Sequence, residues 1–444
     1  MLRSLNLTRY GSRDWHLREK AQAHIKYGDT WALVTPGQIW LNVANPEAIV
    51  DIFQRRTQFT RPVELYQMLN VFGRNVSTVC WVEWKSHRRI ISAPFNELGE
   101  QHCMDTRTVS LNVLAATGFS RSYRFSESRA SDEHDGVSGY WAALMTLMDN
   151  SLFMQLVLRA TCSLPFAPAL WGKIGEAADN FKDHLASSLL RASEEYSHEK
   201  QSISTNSKGL TIDELLGNIY LINIAGHDTT ANTLAYSVVN LAMRPDVQNW
   251  LSEEIKAVVG DDPSETWNYE STFKHLKRPL AIMYETLRLF PPIMAMPKFT
   301  GDQHQSLFIN DSIITIPSNV YVVPSLLAVQ SHPSYWGEDA LEWKPSRWID
   351  ADNGFVVPRK GTYLPWSDGA QNCPGKKFSQ VTFVAVVASL FRFHRVHPLC
   401  ADGESDEELK ARLHKTVEEI SHGVLLRMKD ADSVRLSWTL HTDL

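Results

Sequence analysis

Along the chain, the spacing of apolar and polar positions changes period several times. Residues 14–27 (DWHLREKAQAHIKY) have the pattern of an exposed helix. Residues 31–34 and 39–43 are short β-like runs, with Thr35-Pro36-Gly37 as the turn between them. Asn45-Pro46 opens a second helix over 47–54, with proline at an early helical position. From residue 84 to 300 the apolar period is mainly helical, broken by polar stretches at 120–136 and 198–209 that read as exposed loops. Strand character returns over 307–323. The segment 331–372 is rich in Pro, Trp, Asp and Gly and predicts an ordered meander. A strongly apolar helix follows Cys373, and short strands near 423–439 close the chain. The expected class is mainly α with a small β portion drawn from both ends and the middle. That interleaving argues for one domain over 1–444.

Composition narrows the function classes. The 444 residues are 43% apolar and 21% charged, which fits a globular protein and disfavours collagen, coiled coil and long disorder. The charge balance of 44 basic against 50 acidic residues gives −6, with no basic run, so no nucleic-acid partner is expected. The cysteines (Cys80, Cys103, Cys162, Cys373 and Cys400) are odd in number and form no CxxC pair. A disulfide framework or zinc site is therefore not expected, and a reducing compartment is. A membrane span needs roughly 18 consecutive apolar residues. The best run is uncharged only from Phe378 to Phe391, the stretch 312–330 is cut by Pro317 and Pro324, and the first twenty residues hold no apolar core. No transmembrane segment is expected.

Four short motifs carry chemistry. Cys373, in Tyr363–Phe383 (YLPWSDGAQNCPGKKFSQVTF), precedes a helix expected to begin near Pro374, and Gly369 and Gly375 bracket it. A helix N-terminus favours a thiolate, so this sulfur is a nucleophile, a metal ligand or an inert core residue. Ala225-Gly226-His227-Asp228-Thr229-Thr230 interrupts a long apolar helix pattern. Glycine disfavours helix by about 1 kcal/mol and threonine hydroxyls can bond back to carbonyls. The site is either a packing notch or an opening for a ligand. Glu285 and Arg288, at i,i+3 before Pro291-Pro292, share a helix face and can pair. Trp84 and Arg88, at i,i+4, point the same way.

Taken in order, these motifs resemble the cytochrome P-450 superfamily from about residue 25 to the C-terminus. WSDGAQNCPG is similar to the haem-ligand loop F-x-x-G-x-R-x-C-x-G, with Trp366 in place of Phe and Gln371 in place of the basic residue that pairs with a haem propionate. AGHDTT matches the oxygen-binding motif [AG]-G-x-[DE]-T-[TS] without departure. Glu285-Thr286-Leu287-Arg288 matches E-x-x-R, and Lys344-Pro345-Ser346-Arg347-Trp348 looks like P-x-R-[FW]. Trp84-Lys85-Ser86-His87-Arg88 is similar to the propionate-contacting W-x-x-x-R helix, and Lys298 falls where many members place a propionate-binding arginine. The style of 83–97 and of CPGKKFSQ is most like the microsomal type of filamentous fungi.

The resemblance implies a P-450 fold, with a long central helix over the haem and the haem loop preceding the last long helix. It implies haem b as cofactor, held axially by Cys373 and contacted by Trp84, Arg88, Lys298, Gln371, Trp366, Gly226 and Gly375. Asp228 and Thr229 would be the catalytic proton-delivery pair. Glu285, Arg288 and Arg347 would lock the meander. The implied activity is a monooxygenase acting on an apolar secondary metabolite such as a terpenoid or polyketide intermediate. Electrons would come from NADPH through a cytochrome P-450 reductase, docking near Lys376 and Lys377. Substrate contacts would come from 65–79, 152–167, Ile222, Ile293, Met294, Met296 and 421–424. A monomer is expected, inside the cell, in the cytoplasm or in peripheral contact with the endoplasmic reticulum; the N-terminal anchor usual in microsomal relatives is absent from the chain. Two rivals remain: a P-450-fold isomerase or dehydratase that uses no dioxygen, and a degenerate haem-binding protein. The intact Gly226, Asp228 and Thr229 speak against the first, and Gln371 is the support for the second.

Overall fold

The computed structural model describes residues 9–11, 15–92, 210–260, 267, 269–420 and 425–440, with Glu176 and Asp179. The loops expected at 120–136 and 198–209, and the substrate segments 152–167 and 421–424, lie outside these residues. In chain order the main elements are α1 (Trp15–Glu19), α2 (Gln22–Tyr27), β1 (Thr30–Val34), β2 (Ile39–Val43), α3 (Pro46–Gln54), α4 (Trp81–Ser92) and α5 (Ile212–Ala242). There follow α6 (Pro245–Val259), α7 (Lys277–Leu289), β3 (Lys298–Phe299), β4 (Gln305–Ile309), β5 (Ser312–Ile316), β6 (Tyr321–Pro324) and α8 (Leu326–Ser331). The last are α9 (Lys376–Phe393), β7 (His394–Pro398), α10 (Asp406–Glu418) and β8 (Leu436–Leu440). Helix dominates and the strands are short, as the periodicity predicts. Among the described residues no helix is long and apolar enough to cross a membrane.

The chain divides into two compact units. One comprises Met1–Arg61, Gln101–Ser110 and Asp228–Leu444, the other Pro62–Glu100 and Leu111–His227. The first holds all the described strands. Its four-stranded sheet has the order β1-β2-β6-β3, with β2 and β6 parallel and the outer pairs antiparallel. Helix α3 covers this region. Asn45 caps it, accepting from the Ala48 N–H at 3.0 Å, and Pro46 occupies its first turn. Ala48, Ile49, Ile52 and Phe53 are buried in one cluster with Val43, Val322, Ile316 and Val329. Burying four such side chains contributes several kcal/mol, at about 25 cal/mol per Å² of apolar surface.

Two local expectations change. The single exposed helix over 14–27 is instead α1 and α2, parted at Lys20, whose φ of +48° no regular helix accepts. Trp15, Leu17, Ala23 and His24 are buried, because Tyr10 and Trp31 close over them with ring centroids 5.4 and 5.5 Å from Trp15. The AGHDTT segment does not break its helix: α5 runs unbroken from Ile212 to Ala242. Side chains along it bond back to the preceding turn, Asn223 to the Ile219 carbonyl at 2.8 Å, Thr233 to Thr229 at 2.8 Å and Ser237 to Thr233 at 2.7 Å. A helix buried on most of its circumference overrides a propensity deficit of about 1 kcal/mol.

Candidate active site

Cys373 sits in a loop fixed from several sides. Its N–H donates to the Trp366 carbonyl at 2.9 Å, and Ser367 turns the chain with φ +63°. Trp366 Nε1 donates to Ser379 Oγ at 3.1 Å, tying the loop to α9. Gly369, at φ +70°, lies so close to α3 that a Cβ there would meet the Phe53 carbonyl oxygen at 2.7 Å. Only glycine combines that dihedral with that approach. Regular helix begins at Lys376, with Pro374 and Gly375 forming the turn before it, two residues later than the spacing suggests. The Cys373 side chain is exposed, and the Cβ position at Gly375 is 3.9 Å from its sulfur. A bulkier residue at 375 would crowd any flat ligand held there.

Glu285, Arg288 and Arg347 meet. Glu285 and Arg288 are wholly buried, not the surface pair that i,i+3 spacing alone would allow. Arg288 donates in bidentate fashion to the Glu285 carboxylate at 2.8 and 2.8 Å, and Arg347 Nε donates to it at 2.9 Å. The Lys344 N–H at 2.9 Å and the Trp348 indole N–H at 3.0 Å complete its partners. Arg288 also reaches the carbonyls of Gln330, Ala340 and Glu342, so one helix end fixes the meander leading to Cys373.

Lys298 is buried and its ammonium lies 3.4 Å from Gln371 Oε1, two residues from the cysteine. Burial, and next the positive charge of Arg61, bring its pKa from 10.5 down to about 7. Gln371 thus stands beside one buried cation, which itself feels the charge of Arg61. In α5, Asp228 is buried and its carboxylate accepts from the Arg427 guanidinium, while the adjacent Thr229 is half-buried. These residues all belong to the first unit.

In the second unit Trp84 is buried, and the Arg88 guanidinium lies 5.8 Å from its ring centroid, a cation–π distance. Helix α4 is joined to the start of α5 by two links. His87 and Asn218 share a hydrogen bond at 2.7 Å, and Arg74 bridges Glu83 at 2.9 Å and Glu214 at 2.8 Å. Gly226 is half-buried and Ala225 exposed, although Leu221, Asn223, His227 and Asp228 on the same helix are buried.

Several supporting residues escape sequence reasoning. Gln330, wholly buried, accepts from the Leu364 N–H at 2.9 Å and donates to the Leu287 and Arg288 carbonyls at 3.1 Å each. Tyr284 accepts from Tyr363 through its carbonyl at 3.1 Å and from Gln380 through its hydroxyl at 2.8 Å. Arg61 and Arg427 also carry no local signal. The one hint was a lone glutamine in an apolar run at 330.

The donor set suits a haem. An exposed thiol in a preformed loop can take an iron, glycine at 375 leaves room for a plane, and the buried ammonium of Lys298 beside Arg61 calls for a carboxylate. A model of the cytochrome P450 family matches residues 105–421. The chain is 25% identical over 510 aligned positions to a cytochrome P450 monooxygenase of Arthrobotrys oligospora, covering 97% of this chain and 87% of that one. A cytochrome P450 monooxygenase of the phomenoic acid biosynthesis cluster of Leptosphaeria maculans is 22% identical, with 87% and 78% covered. Among solved structures, a zebrafish cytochrome P450 determined with abiraterone superposes with a TM-score of 0.67 at 17% identity, over 96% of this chain and 99% of that one. With the family match spanning most of the sequence and the ordered motifs built into these contacts, the chain is a monooxygenase-class oxidoreductase that belongs to the cytochrome P450 family.

Proposed function

We propose that this enzyme uses haem b to place one atom of dioxygen into an apolar secondary metabolite and releases the other as water. Electrons would arrive from NADPH through a flavoprotein reductase. The observation that carries the reading is the exposed Cys373 in a loop held by Trp366, Ser379 and the close approach of Gly369 to α3. When bound, haem supplies the iron at which dioxygen is activated, and a thiolate ligand pushes electron density that favours O–O cleavage. The chain's own residues do the rest. Cys373 holds the iron, and Lys298 with Arg61 and Gln371 takes a propionate carboxylate. Trp84 and Arg88 carry the propionate role of the family pattern. Asp228 and Thr229 accept and pass protons. Ile293, exposed, and the half-buried Met294 and Met296 offer apolar surface to a substrate. A terpenoid or polyketide fits that surface, and the phomenoic-cluster relative supports a place in secondary metabolism. The exposed Lys376 and Lys377 are the contacts proposed for the reductase.

The test is a carbon-monoxide difference spectrum of the reduced protein. A band at the thiolate-haem position is expected, and Cys373→Ala should abolish it together with turnover while the fold survives. Folded wild-type protein with no such band, or a Cys373→Ala protein that keeps it, refutes the reading.

A further inference from the structure

Asp228 is 3% exposed, and a carboxylate so deeply placed needs charged or hydrogen-bonding partners. One of them, Arg427, lies 199 positions further along the chain. Its own side chain remains 28% exposed, so the arginine side chain runs between a buried acid and solvent. The backbone on either side of Arg427 is pinned. The Leu426 N–H donates to the Pro292 carbonyl at 3.1 Å, just past the end of α7, and Met428 forms an antiparallel bridge with Ile420. The Lys429 N–H then donates to the Glu419 carbonyl at 3.0 Å, and Leu426 and Met428 are both buried. A surface ion pair made by a long, mobile side chain contributes little and fixes little. Here the arginine is delivered by an anchored segment to an acid on a 31-residue helix.

We propose that Arg427 is a positioning residue for proton transfer at Asp228, holding its carboxylate oriented on α5 and linked to solvent between transfers. The proposal rests on the reading of Asp228 as a proton carrier. In each cycle an O–H bond of a solvent hydronium breaks as its proton bonds to a carboxylate oxygen of Asp228, leaving water. That new O–H bond breaks in turn when the proton passes by way of Thr229 to the oxygen atom that leaves as water, so the carboxylate ends ionised and paired with Arg427 again. Arg427 neither gains nor loses a proton. It determines where the carboxylate waits.

The test compares wild type, R427K, R427Q, D228N and R427Q/D228N as haem-loaded full chains, with NADPH and a fungal cytochrome P450 reductase and no added substrate. NADPH consumption is measured in H2O and D2O, together with hydrogen peroxide released per NADPH. R427Q should change the solvent isotope effect and raise the peroxide fraction twofold or more, and R427K should restore both toward wild type. R427Q/D228N should behave like D228N alone. Urea unfolding of wild type, R427Q, D228N and R427Q/D228N reads the ion pair without turnover. Non-additivity of about tenfold in the unfolding constant is expected for groups in direct contact. If D228N shifts the isotope effect and R427Q does not, the positioning role falls while Asp228 stands as proton carrier. If D228N itself changes nothing, the reading of Asp228 fails and the proposal with it. R427K no better than R427Q, or additive stabilities, also overturns the proposal. Should R427Q not accumulate as folded protein, R427M, which keeps the apolar stem, makes the same comparison.

Discussion

Glu285→Gln is the most informative single perturbation of the scaffold. The change preserves volume, removes the charge and turns one carboxylate oxygen into a donor. If the new NH2 replaced Oε1 it would oppose Arg288 Nη2, Arg347 Nε and the Lys344 N–H, all now donating to that atom. Facing the other way it would oppose Arg288 Nε and the Trp348 indole. The second orientation is the milder, with two charge-assisted hydrogen bonds lost. At about 1.5–3 kcal/mol each that is roughly 3–6 kcal/mol. Removing one partner of a buried ion pair, reckoned independently, comes to about 3–5 kcal/mol. The two estimates agree near ~4 kcal/mol, a large part of a total stability of about 5–15 kcal/mol. With an unfolding entropy of about 2.1 cal/mol/K per residue over 444 residues, the melting temperature should fall by roughly 4 °C, more if only the first unit melts.

The assay is urea unfolding followed by tryptophan fluorescence, because Trp336, Trp343 and Trp348 all lie in the segment that Glu285 organises. Glu285→Gln should shift the midpoint by the equivalent of about 4 kcal/mol at an unchanged slope. Arg347→Ala should cost less, since Arg288 still pairs with Glu285 and the Arg347 bonds to Asp339 and the Glu342 carbonyl lie at the partly exposed edge of the network. A Glu285→Gln protein within about 1 kcal/mol of wild type, or an Arg347→Ala protein the weaker of the two, would refute this account of the network.

Lys298 predicts a pH dependence. Its folded pKa of about 7 lies below the ordinary 10.5, so between those values the unfolded chain binds more protons and the haem-free protein should gain stability as pH rises. At about 1.4 kcal/mol per pKa unit the upper bound is roughly 5 kcal/mol. Lys298→Met should flatten that rise in urea midpoints measured between neutral pH and the ordinary lysine range, and equal slopes in the two proteins would contradict the assignment. Gly369→Ala combines a left-handed dihedral, costing about 1–2 kcal/mol, with a Cβ pressed to 2.7 Å from the Phe53 carbonyl oxygen. Gly403→Ala, at φ +80° with nothing near its Cβ, isolates the dihedral contribution. Equal losses in thermal unfolding would mean that the approach of the cysteine loop to α3 is not rigid.

Much of the fold was legible because local rules and packing agree. Pro46 and Asn45 mark the start of α3, and Pro291-Pro292 follow the end of α7. Sequence spacing showed that Glu285 and Arg288 share a face, but not that the face is buried. Burial depends on Gln330, Ala340 and Trp348, which come from elsewhere in the chain. The same holds for Lys20, whose positive φ parts α1 from α2 although no proline or glycine stands there, while Tyr10 and Trp31 pack on Trp15 of α1. Local propensity also misjudged Gly226, because burial of α5 outweighs one glycine.

Gln371 shows what the sequence alone could not weigh. As a departure from the family pattern it looks like a lost propionate partner. In the structure Lys298 lies 3.4 Å from its amide oxygen, and Arg61 is near enough to depress the lysine pKa. A third cation at 371 would add like-charge repulsion to a pair of cations that burial already penalises. An amide accepts from the ammonium and adds no charge, so under the proposed function a haem carboxylate would draw on the charge of Lys298 and Arg61. On this reading the basic residue has not vanished from the site; its charge has moved from the cysteine loop to β3 and to the segment following α3. The neutral residue at 371 is then the choice that keeps two neighbouring cations compatible.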